Sequence, residues 1–469
     1  MIAPRKRHGA GSATRSTPSR HAPTHLPAAA VARPRVAERL PFTLHAYRLL
    51  TRAATPLAPL LLSYRLRRGK ELRLRLAERW AETTVSRPAS PLIWVHGASV
   101  GEIIAAVGLI ERLNVQGFRI LVTSGTVTSA ELAAQRMPPA MIHQFVPLDA
   151  PRFVGRFLNH WRPDLALFME SDLWPNMILA ADARRIPMIL VNGRLSEQSF
   201  RRWQRVPRTI AALLQRFQLC LAQSQDDARR YATLGAAVNI TGNLKIDVAP
   251  PPADPAAFGA IEAAIAGRPI IAAASTHPGE EAILIGVHQR LRGQVPNLLT
   301  VIAPRHPERG PDIAAAAEAA GLRAPLRSRG QMPDGTGDIY ILDTIGELGL
   351  LYRLAPIVFM GGSLASHGGQ NPIEAAKLGA AILHGPNVWN FAEIYAALDA
   401  AHGAREVADP AALTARARDW LTDPAARQKA ALAGRRTVDA LGGALDRTLA
   451  ALDPYLQSLL PARGRSGDA

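Results

Sequence analysis

The sequence predicts an α/β protein built from two doubly wound parallel-sheet domains, and three observations carry that prediction. From residue 91 onward, short apolar runs alternate with stretches of helical periodicity, the pattern of strand–helix–strand units whose sheet is parallel. Four prolines in six positions, Pro250-Pro251-Pro252-Ala253-Asp254-Pro255, divide the alternation into two halves and read as a semi-rigid linker. In both halves the polar and glycine-rich segments fall just after the apolar runs. Ligands of open α/β sheets bind there, beyond the carboxyl ends of the strands.

In the first half the expected strands are 92–96, 120–123, 143–147, 164–170, 188–192, 219–223 and 238–242, with a helix over 174–184. Gly97-Ala98-Ser99-Val100-Gly101-Glu102 is a loop leading into a helix that carries Ile103, Ile104, Val107, Leu109 and Ile110. In the second half the expected strands are 269–274, 298–303, 338–342, 357–359 and 380–384, with a surface loop over 323–337. Chain organisation follows: a disordered basic leader (1–40), a membrane-associated segment (41–80), a first domain (81–248), the linker (249–255), a second domain (256–455) and a flexible tail (456–469).

The stretch around which the second half is organised runs from Phe359-Met360-Gly361-Gly362-Ser363 through His367-Gly368-Gly369-Gln370-Asn371-Pro372 to Ile373-Glu374-Ala375-Ala376. Gly361 and Gly362 permit a tight turn, and Pro372 suits the first position of a helix. A strand, a glycine loop and a helix start predict an anion cradle of free main-chain N–H groups, with Glu374 placed to accept hydrogen bonds from a ribose. A glycine-rich turn that merely connects two elements has the same letters.

Charge is unevenly spread. The net charge is +17, yet 17 of the 55 Lys and Arg fall within the first 80 residues against three acids, so the remaining chain is nearly neutral. Residues 1–37 are rich in Arg, Pro, Ala, Ser and Thr without hydrophobic periodicity, and no apolar run follows the early basic residues as a signal peptide requires. Residues 41–66 carry Phe42, Leu44, Tyr47, Leu49, Leu50, Leu57, Leu60, Leu61, Leu62 and Tyr64, interrupted by Arg48, Arg52, Pro56 and Pro59. That is short of the roughly 20 apolar residues of a membrane span. With Arg65, Arg67, Arg68, Lys70, Arg73 and Arg75 directly after it, the segment reads as a helix lying in an anionic membrane surface. A soluble helix packed on the first domain is the other reading. The leader contains no aromatic residue to stack on bases, so no nucleic acid is expected as a partner. A single cysteine, Cys220, rules out a disulfide within the chain and suits a reducing compartment.

Candidate chemistry lies at the strand ends. Glu102 is a carboxylate in the first turn of a helix, fit for a general base or merely for the helix dipole. Glu170 and Asp172 close a strand, where two acids must be paired or used, and Arg194 can pair with them or hold a substrate anion. Lys245 follows the last strand before the linker and can neutralise a phosphate or a carboxylate. Arg305, His306 and Arg309 concentrate after another strand and suit phosphate contacts or a salt-bridge cluster. No Asp-x-Asp motif ends a strand and no Cys/His set has metal-ligand spacing, so no metal is expected.

Eight segments in a fixed order then resemble the 3-deoxy-D-manno-octulosonic acid (Kdo) transferases of lipopolysaccharide synthesis, over residues 41 to about 450. They are Trp94 through Glu102, Met169 through Asn176, Asn192-Gly193-Arg194-Leu195-Ser196, Gly242-Asn243-Leu244-Lys245, Ala274 through Glu281, Pro304 through Arg309, Gly361 through Ala376 and Gly385 through Phe391. The resemblance implies a GT-B fold, two Rossmann-like domains facing a cleft, and the donor CMP-Kdo held mainly by the second domain, with no cofactor. It implies an inverting, metal-independent transfer to the 6′-hydroxyl of a lipid A precursor at the cytoplasmic face of the inner membrane. By position it implies Glu102 as the base, Glu170 and Lys245 as residues steadying the transition state, and Pro304, Arg305, Gly361, Gly362, Ser363, Asn387, Val388, Trp389 and Asn390 as CMP contacts. The leader has no counterpart in the family, and Asp172 stands where many members carry Glu. From the residues alone, a GT-B enzyme using a UDP-sugar stays open, since glycine loops do not tell uridine from cytidine.

Overall fold

The computed structural model describes residues 39–136, 141–333, 335 and 337–460. Residues 1–38 of the expected leader and 461–469 of the expected tail lie outside that range. The first domain holds seven strands: β1 (Leu92–His96), β2 (Arg119–Ser124), β3 (Ile142–Phe145), β4 (Leu165–Met169), β5 (Met188–Gly193), β6 (Leu219–Ala222) and β7 (Val238–Ile240). They form one sheet in the order β3-β2-β1-β4-β5-β6-β7 with parallel pairing throughout. The second domain holds β8 (Ile270–Thr276), β9 (Leu299–Pro304), β10 (Ile339–Ile341), β11 (Ile357–Met360), β12 (Ala381–His384) and β13 (Ala404–Glu406), in the parallel order β10-β9-β8-β11-β12-β13. The predicted two-domain parallel α/β architecture is therefore present.

The central strands are buried on both faces because helices cover both sides, so they read as unbroken apolar runs, Leu92-Ile93-Trp94-Val95 and Ile357-Val358-Phe359-Met360. In each sheet the strand order reverses at its middle, between β1 and β4 and between β8 and β11. A crevice opens beyond the strand ends at such a reversal. Glu102 and Glu170 follow β1 and β4. The segments after β8 and β11 are His277 to Glu280 and Gly361 to Ser363.

Some backbone strain lies at the same ends. Glu170, Asn192 and Ser275 hold left-handed φ values of 55°, 56° and 55°. The pairing register slips between Leu190 and Gly193 and between Ala274 and Thr276. Such conformations cost on the order of 1–3 kcal/mol each and persist where surrounding structure enforces them.

Residues 42–67 form two helices, Phe42–Ala53 and Ala58–Arg67, joined by a 3₁₀ turn at Thr55–Leu57. The two prolines expected to break the run instead open the 3₁₀ turn and the second helix, where a missing N–H costs nothing. Leu44 and Leu62 are buried anchors. Polar ties fasten the first helix to the domain: Tyr47 Oη donates to Asp149 (2.9 Å), and Asn176 Nδ2 donates to Thr51 Oγ1 (3.0 Å). Among the described residues, no helix is long and apolar enough to cross a membrane.

The linker lies against the second domain. Arg353 donates to the Pro251 carbonyl at 2.8 Å, and Gly349 packs so closely that a Cβ there would meet the Pro252 carbonyl at 2.1 Å. One boundary needs correcting. The helix Ala444–Gln457 buries Leu449, Leu452 and Leu456 in the core of the first domain with Ile103, Leu109 and Leu244, so residues 444–455 do not belong to the second domain. Asp247 fixes this return, accepting from the amides of Gly443 (2.8 Å) and Leu445 (2.5 Å).

Candidate active site

In the first domain, Ser99 caps the helix Val100–Val115 by accepting from the Glu102 amide, and Glu102 reaches back to the chain before the cap. Its Oε2 accepts from the Ala98 amide at 2.7 Å and its Oε1 from the Ser99 hydroxyl at 2.8 Å. Burial, then the negative charges of Asp172 and Glu170, raise the Glu102 carboxyl above its usual value against the pull of those two hydrogen bonds. A carboxylate so placed is a better proton acceptor than an exposed one.

Lys245 enters from the short helix Leu244–Asp247 and lies beside the start of the Glu102 helix, 3.8 Å from where a Gly101 Cβ would stand. Its Nζ is 2.6 Å from Glu170 Oε1, close enough for charge pairing but off the hydrogen-bonding axis, which leaves that buried oxygen without a directed donor. Asp172 is held by fully buried His96, Nε2 to Oδ2 at 3.1 Å. Behind it, the Trp94 indole donates to Thr123 Oγ1 at 2.8 Å, and Thr123 meets His96 Nδ1 at 2.9 Å. Thr123 and Asp172 thus hold the imidazole at both of its nitrogens. Burial pushes Asp172 up, but the His96 hydrogen bond and charge, with Trp174, outweigh it and hold the carboxyl below its usual value. Lys245 and His96 are thus the partners of the two acids; Arg194, open from the sequence to pairing with them or to holding a substrate anion, is exposed and lies near Glu393. Glu102, Glu170 and Lys245 stand together in one cluster, and His96 joins it through Asp172, a contact that no sequence pattern signals.

The second domain departs from expectation. The cradle after β11 is an anion nest, but its anion belongs to the chain. Glu280 Oε2 accepts from the amides of Gly362 (2.7 Å) and His277 (2.9 Å), and Oε1 from Ser363 (3.0 Å), Leu364 (3.0 Å) and Ala365 (3.2 Å). The Gly361 amide donates to Ala274, 2.8 Å away. The amides of Gly361, Gly362 and Ser363 are therefore not free for a phosphate. Ser363 is fully buried, and its hydroxyl donates to the Met360 carbonyl while accepting from the Gly385 amide. Gly361 is required by contact, since a Cβ there would sit 2.3 Å from the Ser275 carbonyl. The helix expected from Pro372 is a single turn, Ile373–Lys377, with its first amide held by Asn371. It supplies no helix dipole of consequence. Glu374 lies on this turn, half-buried.

The remaining expected contacts divide by exposure. Pro304 ends β9 in the core and Arg305 is exposed. Arg309 is turned away, paired in fork fashion with Glu281 at 2.6 and 3.1 Å, which raises its own affinity for a proton. Asn387 and Asn390 donate to the carbonyls of Leu364 (3.3 Å) and His367 (2.9 Å), clamping one loop upon the other, with half-buried Val388 between them and both Trp389 and Asn390 exposed. The domains face each other at Glu393, whose carboxyl is raised by burial and by the charges of Asp227 and Asp226 from the first domain. Among the described residues, no group of three or more His, Cys, Asp or Glu side chains is placed to hold a metal ion.

Two doubly wound domains with their strand-end crevices turned toward one cleft define the GT-B class of glycosyltransferase folds. A glycosyltransferase structure from Rickettsia africae shares that architecture, with a TM-score of 0.54 at 13% identity over 80% of this chain and all of its own. Residues 73–248 match the family described as 3-Deoxy-D-manno-octulosonic-acid transferase (kdotransferase). The 3-deoxy-D-manno-octulosonic acid transferase of Haemophilus influenzae is 35% identical over 82% of this chain and 92% of its own length. That of Bordetella pertussis is 37% identical over 87% and 99%. The chain belongs to the 3-deoxy-D-manno-octulosonic acid transferase family.

Proposed function

We propose that this protein transfers Kdo from CMP-Kdo to the 6′-hydroxyl of a tetra-acylated lipid A precursor, with inversion and without a metal ion. The observation that carries the reading is the carboxylate cluster at the mouth of the first domain, where Glu102 is held half-buried against Asp172 and Glu170 with Lys245 alongside. Glu102 takes the proton of the acceptor hydroxyl as its oxygen bonds to the anomeric carbon, and the bond from that carbon to the CMP phosphate oxygen breaks with its electron pair. Lys245, balanced by Glu170, and Arg305 oppose the negative charge that develops on the departing phosphate. Asn387, Val388, Trp389, Asn390 and Glu374 surround the nucleoside.

A lipid acceptor accounts for the surface beside this site. Phe42, Leu49, Leu50, Leu57, Leu60, Tyr64 and Leu74 are all more than half exposed, with Leu74 99% and Phe42 84% accessible. Arg48, Arg52, Arg67, Arg68, Lys70 and Arg73 stand among them, exposed. Apolar side chains rimmed by arginine suit insertion into the anionic cytoplasmic face of the inner membrane. The deciding experiment incubates the purified protein with CMP-Kdo and the tetra-acylated precursor in EDTA and follows the lipid by mass. A gain of one or more Kdo units with CMP release is expected. CMP release without lipid gain overturns the acceptor, and neither product overturns the donor as well. Sedimentation with vesicles of anionic against neutral lipid tests the surface; equal recovery with both removes the electrostatic part of the membrane reading.

A further inference from the structure

The nest after β11 is closed to a second anion. Its four amides are spent on a carboxylate that is 1% exposed, and Glu280 leaves a fixed negative charge under the loop. A nucleotide phosphate arriving here needs positive charge from elsewhere. The rim supplies it in an unusual form. His277 and His367 stack at 4.1 Å between ring centroids with planes 17° apart, and His306 stands edge-on to His277 at 6.4 Å. Arg305 is exposed beside them, its amide tied to the Thr276 carbonyl at 3.0 Å.

We infer that the donor's phosphate is received by the side chains of His277, His367, His306 and Arg305, with one imidazole of the stacked pair taking up a proton as the phosphate binds. This rests on the proposed cytidine nucleotide donor. Two imidazoles in van der Waals contact do not both become cations without an anion between or beside them. The groups facing His277 set the balance: burial, His367, His306 and Arg305 disfavour its cation, and only Glu280 favours it. A phosphate oxygen beside the stack reverses that balance. Gln370 is built to follow the change. Its amide nitrogen lies 3.0 Å from His277 Nε2, donating to the neutral ring, and a turn of the amide presents its oxygen to the protonated one.

The test is calorimetric titration of CMP into the full-length protein at about pH 7.5, where the phosphate (second pKa about 6) is already ionised, in two buffers of different ionisation enthalpy. Wild type is expected to take up a substantial fraction of a proton per CMP, and its affinity to fall between about pH 6.5 and about pH 8.5 as imidazole loses its proton. Cytidine, lacking the phosphate, is expected to bind without uptake. His277→Asn and His367→Gln are expected to abolish the uptake and weaken CMP about tenfold. His367 is exposed, so its variant carries no folding burden. CMP binding with no proton uptake in wild type overturns the inference, as does unchanged uptake in His367→Gln and His277→Asn. A wild-type protein that binds no CMP removes the donor reading, and this inference with it.

Discussion

Each domain places a glutamate at the start of the helix that follows its first strand, and the two have opposite fates. Glu280 is sealed in by five main-chain amides and almost inaccessible. Glu102 has one amide and one hydroxyl, with two further carboxylates nearby. A carboxylate saturated with N–H donors serves as a structural ion, because each bond favours the charged form and fixes its position. A carboxylate given few donors and like-charged neighbours is held ready to take a proton. Similar places in two similar sheets thus hold a sealed structural anion and a carboxylate poised to accept a proton, through the number of amides turned toward each.

The sharpest way to break this comparison is Glu102→Gln. Turnover is expected to fall by about 10²- to 10⁴-fold, the usual share of a general base, while CMP affinity measured by calorimetry stays at the wild-type value. Unchanged turnover would put the base elsewhere. Next is Glu280→Gln, which replaces the buried anion by an amide whose NH₂ faces N–H donors. A stability loss on the order of 3 kcal/mol is expected, read by chemical denaturation. A fully stable Glu280→Gln protein would mean that the nest does not need its charge.

Asp172→Asn tests the electrostatic half of the contrast. Removing one negative neighbour eases ionisation of Glu102, so the acidic limb of the pH–rate profile is expected to move to lower pH. A lost fold would lower the rate without moving the limb. The smallest effect is on stability. Glu102 has a folded pKa above its unfolded one, so the folded state binds more protons, and stability falls as pH rises through the interval between the two. Glu102→Gln, which mimics the protonated form, is therefore expected to melt slightly higher than wild type at neutral pH. That advantage should vanish below the ordinary carboxylate range.

Much of this arrangement is legible in the sequence because it is local. Trp94-Val95-His96 is a buried strand by its letters, and Glu102 follows in a capped first turn, so its place at the sheet's carboxyl edge comes directly from strand–loop–helix order. Glu170 and Lys245 are legible as strand-end charges, though their pairing spans 75 positions and needed the fold. Glu280 escaped because the anion and its nest are about 80 residues apart. Glycines announce that a loop offers amides, not what occupies them. The helix after Pro372 was overestimated because Ile-Glu-Ala-Ala-Lys has good helical propensity, whereas tertiary packing stops it after one turn at Leu378-Gly379, with Gly379 at φ 82°. Nor does an amphipathic stretch such as 444–457 name the sheet it will cover.

That last helix has a consequence for how the molecule is made. Ala444, Leu449, Leu452 and Leu456 complete an apolar layer whose other members include Ile93, Ile103 and Leu165. During synthesis the first sheet therefore leaves the ribosome with an uncovered flank. It stays so until the whole second domain has been translated. The half of the chain that is born first is the half that finishes folding last, and cleavage near residues 442–443 would strip the older domain while leaving the younger one whole.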